Sequence, residues 1–163
     1  MGQGTVFCCS RCGHTETALS GIGFRFPEEY RETVEEIRNG KYGEAWEQLF
    51  GSIPGAAVNA ERELYVCPDC GAFAAESNLT IYEMKQAVSS RPGNPRRSVA
   101  HPPTGEEYVL PDELRRDYRL VRTYPHNCPE CGKRMHRRRP DDRMKCPECK
   151  EGEMKPQEGI LWD

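Results

Sequence analysis

The chain has 163 residues, 36% of them apolar and 30% charged, with nine cysteines and a formal net charge of −3. This length allows one domain or two small ones, and so low an apolar share excludes a fold carried by one large core; small domains of this kind need staples. No stretch approaches the ~20 apolar residues of a membrane span.

Met1-Gly2-Gln3-Gly4-Thr5 has no basic region leading into an apolar run, so no secretory leader is expected. The expectation is a soluble protein of a reducing compartment, the cytoplasm. Charge is uneven: residues 1–90 carry 7 Lys and Arg against 13 Asp and Glu, and residues 91–163 carry 16 against 13. The acidic first half and the basic second half can together grip a partner of mixed charge.

Val6-Phe7-Cys8-Cys9 reads as a strand running into Cys9-Ser10-Arg11-Cys12-Gly13, the first of four Cys-x-x-Cys pairs. Of the vicinal cysteines, Cys9 has the two-residue gap to Cys12, which leaves Cys8 as a spare, half-buried strand thiol. Pro27 then sits where a first helical residue belongs, followed by Glu28 and Glu29 at the positive end of the dipole. Phe26, Tyr30, Val34 and Ile37 recur at helical spacing up to the stop signal Asn39-Gly40. A second helix gathers Tyr42, Ala45, Trp46, Leu49 and Phe50 on one face and closes at Gly51, giving a helical hairpin over about 27–50. Its apolar stripe packs as core, or else its Tyr42/Trp46 face docks a partner, since aromatic side chains dominate cores and interfaces alike.

Glu63-Leu64-Tyr65-Val66 alternates as a strand and leads into Cys67-Pro68-Asp69-Cys70-Gly71. Leu79-Thr80-Ile81-Tyr82 is another strand candidate. Residues 89–107, rich in Pro, Gly and Arg, read as a linker or mobile loop. Pro111-Asp112-Glu113-Leu114 opens a short helix, and Tyr118–Tyr124 alternates as a strand up to the third pair, Cys128-Pro129-Glu130-Cys131-Gly132. Pro140-Asp141-Asp142 is a turn between two short strands ahead of the fourth pair, Cys146-Pro147-Glu148-Cys149. The tail is polar until Ile160-Leu161-Trp162, an apolar tip expected to tuck against its own hairpin.

A two-residue gap repeated four times suits metal knuckles and not a disulfide framework. In such a knuckle the glycine after the second cysteine takes a positive φ while backbone amides face the sulfurs. Eight thiolates make two closed tetrahedral sites. Proximity pairs Cys9/Cys12 with Cys67/Cys70 across 54 residues, and Cys128/Cys131 with Cys146/Cys149 across 14; a crossed pairing is less economical.

The knuckles resemble those of the zinc-ribbon and rubredoxin-like families, whose Cys-Pro-x-Cys-Gly signature is matched in full at Cys67–Gly71 and Cys128–Gly132. Ser10 replaces the proline in the first knuckle and Lys150 the glycine in the fourth, and neither departure touches a ligand. The whole chain also loosely resembles bacterial proteins with two such ribbons and a helical insertion, a likeness that implies no activity. Rubredoxins enclose one iron in a small apolar capsule; two sites and a heavily charged second hairpin here favour two Zn2+ over iron. The fold expected is a small α+β one of two four-cysteine zinc ribbons, the first (1–88) with the helical hairpin between its knuckles, then the linker, then the second with its tail (108–163).

Full sets of thiolates leave a catalytic metal no open position, and His14, His101, His126 and His136 are scattered. No nucleophile elbow, phosphate-binding glycine loop or His-Glu-x-x-His stands in the chain, so an enzyme is not expected. Two functions remain. One is a protein-interaction adaptor or inhibitor, for which a protein partner would use the Tyr42/Trp46 face. The other is nucleic-acid binding through the basic hairpin 133–145, with Lys133, Arg134, Arg137, Arg138, Arg139, Arg143 and Lys145 neutralising phosphates. Against the second, each zinc held by four thiolates carries a charge of −2, which those cations also balance.

Overall fold

The computed structural model describes residues 2–85 and 108–162. It is a small mixed α and β fold with three helices and three three-stranded sheets among the described residues. The expected linker at 89–107 lies outside them. No helix among them is long and apolar enough to cross a membrane.

The chain divides into two compact units, each discontinuous in sequence. Unit 1 comprises Met1–Phe24, Arg62–Ser77 and Pro125–Asp163; unit 2 comprises Arg25–Glu61 and Asn78–Tyr124. Each unit is assembled from separate stretches, so its limits are not those of the segments 1–88 and 108–163 read from the sequence.

In unit 2, α1 (Phe26–Arg38) begins with Pro27, Glu28 and Glu29 in its first turn and buries Phe26, Tyr30, Thr33, Val34 and Ile37. It stops where Gly40, at φ +74°, donates its N–H back to the carbonyl of Ile37. Helix α2 (Glu44–Ser52) follows and buries Trp46 and Phe50. Strands β3 (Ala57–Val58), β6 (Ile81–Met84) and β7 (Tyr118–Arg122) form an antiparallel sheet with β6 in the middle. The short helix α3 (Pro111–Asp117) precedes β7, and its Glu113 carboxylate accepts the N–H of Leu110 at 2.9 Å, closing the helix start.

Unit 1 holds two sheets. In the first, β1 (Gly2–Cys9) lies between β2 (Thr15–Ser20) and β9 (Met154–Trp162), antiparallel to both. The apolar tip of the tail is thus the end of a nine-residue strand laid along β1, with Gly4 opposite Ile160 and Gln3 opposite Leu161. Leu161 stays largely exposed. In the second sheet, β4 (Arg62–Val66) pairs with β5 (Phe73–Ser77) and with the two-residue β8 (His136–Arg137). The basic stretch 133–145 is therefore not a hairpin of its own. Its strand residue Arg137 sits opposite Tyr65 on β4, while Lys145 bridges to Glu153.

The β4–β5 hairpin separates two cores, and the two-residue side-chain period of a strand explains how. Leu64 and Val66 of β4, with Phe73 and Ala75 of β5, face a core containing Phe7, Cys9, Met144, Cys146 and Met154. The alternate residues Tyr65 and Ala74, continuing into Cys67 and Ala72, face a second core with Cys128 and Met135. Each fully buried apolar side chain contributes on the order of 1.5–3 kcal/mol, so neither small core suffices for a stable fold alone.

Candidate metal centres

The eight cysteines of the four pairs form two groups, and both lie in unit 1. Cys9, Cys12, Cys146 and Cys149 make one, site 1; Cys67, Cys70, Cys128 and Cys131 make the other, site 2. This corrects the pairing expected from proximity. The first knuckle joins the last and the two middle ones join each other, so the pairing is nested. The helices α1 and α2 accordingly do not lie between the knuckles of one ribbon: Cys12 and Cys67, which flank them, belong to different sites.

The four knuckles share one local geometry. The first cysteine's carbonyl accepts the N–H of the residue four on: Gly13 at 3.2 Å, Gly71 at 3.0 Å, Gly132 at 2.8 Å and Lys150 at 3.0 Å. Those four residues have φ of +74°, +77°, +73° and +59°. Three are glycines, for which this region carries no steric penalty; Lys150 takes the conformation at a cost of roughly 1–2 kcal/mol. The Cys9, Cys67 and Cys128 amides then close their loops onto the carbonyls of His14, Ala72 and Lys133, and the Cys146 amide onto that of Gly152, one residue further on.

The sulfur spacing fits a metal. Cys9 and Cys149 Sγ are 3.7 Å apart, Cys12 and Cys146 3.7 Å, Cys67 and Cys131 3.5 Å, and Cys70 and Cys128 3.4 Å. All ligand atoms of a group lie within 4.8 Å of one another. A tetrahedron of thiolates ~2.3 Å from a central ion has sulfurs ~3.8 Å apart, whereas a disulfide requires ~2.05 Å. All nine cysteines are free thiols.

Backbone amides prepare Cys9 and Cys67 for the thiolate form. The Cys12 and Arg11 N–H groups, 3.5 and 3.4 Å from Cys9 Sγ, lower its pKa to about 6. Burial opposes ionisation of Cys67, but the Cys70 and Asp69 amides outweigh it and hold its thiol at about 7. Cys12 gains the His14 amide, yet desolvation and the neighbouring sulfurs push it up to about 12. Four thiolates together therefore need a cation in their midst, and binding one releases protons.

Gly152 was not singled out from the sequence, yet it belongs to site 1. Its N–H points at Cys149 Sγ at 3.3 Å, and a β-carbon on it would overlap Cys9 Sγ. Beside site 2, His126 is buried, stacks on Tyr65 with ring centroids 3.8 Å apart, and shares a 2.7 Å hydrogen bond with Glu76. Cys8 stays outside both groups, half-buried, with its Sγ 3.8 Å from the Gly13 carbonyl.

The basic residues divide into two kinds. Lys133 pairs with Asp69 at 2.8 Å, Arg137 with the buried Glu63 at 3.2 Å, and Arg138 lies over the Phe7 ring at 5.4 Å. Arg134, Arg139, Arg143 and Lys145 are exposed and make no ion pair among the described residues. Lys145 and Lys150 line a cleft of about 250 Å³ together with Phe73, Pro129, Pro147, Glu16 and Glu130, and Lys150 pairs with Glu130 at 3.7 Å.

Trp46 is no part of an exposed face. It is 4% exposed, its indole donates to the Leu79 carbonyl at 3.2 Å, and Tyr124 packs edge-on against it and against Tyr42 at 5.1 and 5.7 Å. Trp46 is thus core of unit 2, while Tyr42 is half-buried beside it.

No family model, no curated protein and no solved structure matches the chain. Two four-cysteine groups able to hold metal ions, consistent with zinc-ribbon-like sites, are what the fold itself supplies.

Proposed function

We propose that the chain is a cytoplasmic, non-catalytic zinc protein whose unit 1 docks a protein partner. One observation carries the reading: each group offers four thiolates, and among the described residues no histidine or carboxylate joins either. Such a set closes the coordination sphere and leaves no position for water or substrate, which is the pattern of a structural site. Exposed outer ligands, Cys12 and Cys131, favour zinc over a sheltered redox iron. A reducing compartment keeps the eight thiols available. The metals brace unit 1, and the apolar-walled cleft, in which Lys150 is paired with Glu130 and Lys145 makes no ion pair among the described residues, suits a segment that brings an apolar side chain and a carboxylate for Lys145.

Nucleic-acid binding is the second reading, favoured by the four exposed cations Arg134, Arg139, Arg143 and Lys145. It ranks lower because Lys133 and Arg137 are already spent on Asp69 and Glu63. Peptides selected by phage display against the zinc-loaded chain, then titrated by fluorescence anisotropy beside short RNA and duplex DNA, separate the two. The protein-docking reading predicts acidic peptides that lose about tenfold affinity in Lys145→Glu/Lys150→Glu. Tighter binding of nucleic acid, falling steeply with salt and abolished by Arg134→Ala/Arg139→Ala/Arg143→Ala, would overturn it.

A further inference from the structure

We infer that the two metal sites load cooperatively, each raising the other's affinity, through the β4–β5 hairpin and a backbone contact between Gly71 and Lys145. The inference rests on the metal-binding reading above.

The hairpin is common property of the two sites. One face of it, Leu64, Val66, Phe73 and Ala75, packs on the core that contains Cys9 and Cys146 of site 1. The other face continues directly into Cys67, a ligand of site 2, and packs around Cys128. An ion at either site therefore orders the wall of both. Fixing backbone costs roughly 1–2 kcal/mol per residue, and the second ion meets a wall whose ordering the first has already provided.

The second link is direct. Gly71 closes the Cys67/Cys70 knuckle of site 2, and its carbonyl accepts the Lys145 N–H at 2.8 Å. Lys145 immediately precedes Cys146, so one hydrogen bond joins the loop around one metal to the residue before a ligand of the other. The fit is tight: a β-carbon on Gly71 would lie 2.9 Å from Lys145 Cγ and 3.3 Å from the Arg143 carbonyl and the Lys145 nitrogen. Gly132 supplies the contrast. It closes the other knuckle of site 2 at nearly the same φ, +73° against +77°, and a β-carbon there meets nothing within 4 Å.

Reduced, metal-free full-length chain given one equivalent of Zn2+ and analysed by native mass spectrometry tests the coupling. Independent equal sites put about half the molecules in the one-zinc state, while a coupling factor on the order of 100 leaves about a tenth. The expected result is metal-free and two-zinc chains with the one-zinc species well below half. A one-zinc fraction of one half or more would overturn the inference. A chain that takes up no zinc even in excess would instead remove the metal-binding reading, and the coupling with it. Gly71→Ala should raise the one-zinc fraction toward half, while Gly132→Ala, equally strained in φ, keeps it suppressed; identical behaviour of the two variants would refute the Gly71–Lys145 link.

Discussion

A β-carbon built on Gly152 would overlap the sulfur of Cys9 and lie 3.0 Å from the Cβ of Arg11. This contact is made between residues more than 140 positions apart. Gly152→Ala should weaken site 1 by about 10–100-fold, the range for residues that support metal ligands. Gly13→Ala, with nothing within 4 Å of its β-carbon, costs only the strain of its +74° φ. Competition with a chromophoric zinc chelator measures both, and equal affinities for the two variants would contradict the role given to Gly152. The eight cysteines of the two groups were legible because knuckle spacing is local. Gly152 was not, because the template Cys-x-x-Cys-Gly ends before it, and what fixes it is a tertiary contact with the first knuckle. The replacement of that template's glycine by Lys150, with a glycine two residues later, was the available signal.

At the scale of elements, α1 and α2 were readable from their apolar period and from Pro27 and Gly40, all local features. Which way the α2 stripe faces was not, since aromatic residues serve cores and interfaces alike; the indole hydrogen bond to Leu79 and the Tyr124 ring decide it. Trp46→Ala should therefore destabilise unit 2 by about 3–5 kcal/mol, measured by urea unfolding followed by near-ultraviolet circular dichroism, with zinc stoichiometry unchanged because every ligand lies in unit 1. An unaltered unfolding midpoint would return Trp46 to the surface. The basic stretch failed as a hairpin for a different reason. Its strand, His136–Arg137, finds its partner on β4 some seventy residues earlier, and the cations that looked like one stripe are sorted by Asp69, Glu63 and Phe7 into bound and free ones. None of those partners is near in sequence.

Over the whole chain, the expected pairing rested on loop length, and the magnitudes show why that was too weak a guide. Closing 57 residues between Cys70 and Cys128 instead of 14 between Cys131 and Cys146 costs only about 1 kcal/mol more, because closure entropy grows with the logarithm of length. Joining Cys12 to Cys146 across 133 residues instead of to Cys67 across 54 adds about as much again. Against this stand the pairing of β9 along the whole of β1 and two cores, in which single buried side chains contribute 1.5–3 kcal/mol each. Sequence-order economy loses to packing. Substituting cadmium for the native metal and recording couplings from each spin-active cadmium to cysteine β-protons tests the nested pairing most directly. The account predicts one cadmium resonance coupled to Cys9, Cys12, Cys146 and Cys149, and another coupled to Cys67, Cys70, Cys128 and Cys131. A single resonance coupled to both Cys9 and Cys67 would contradict it.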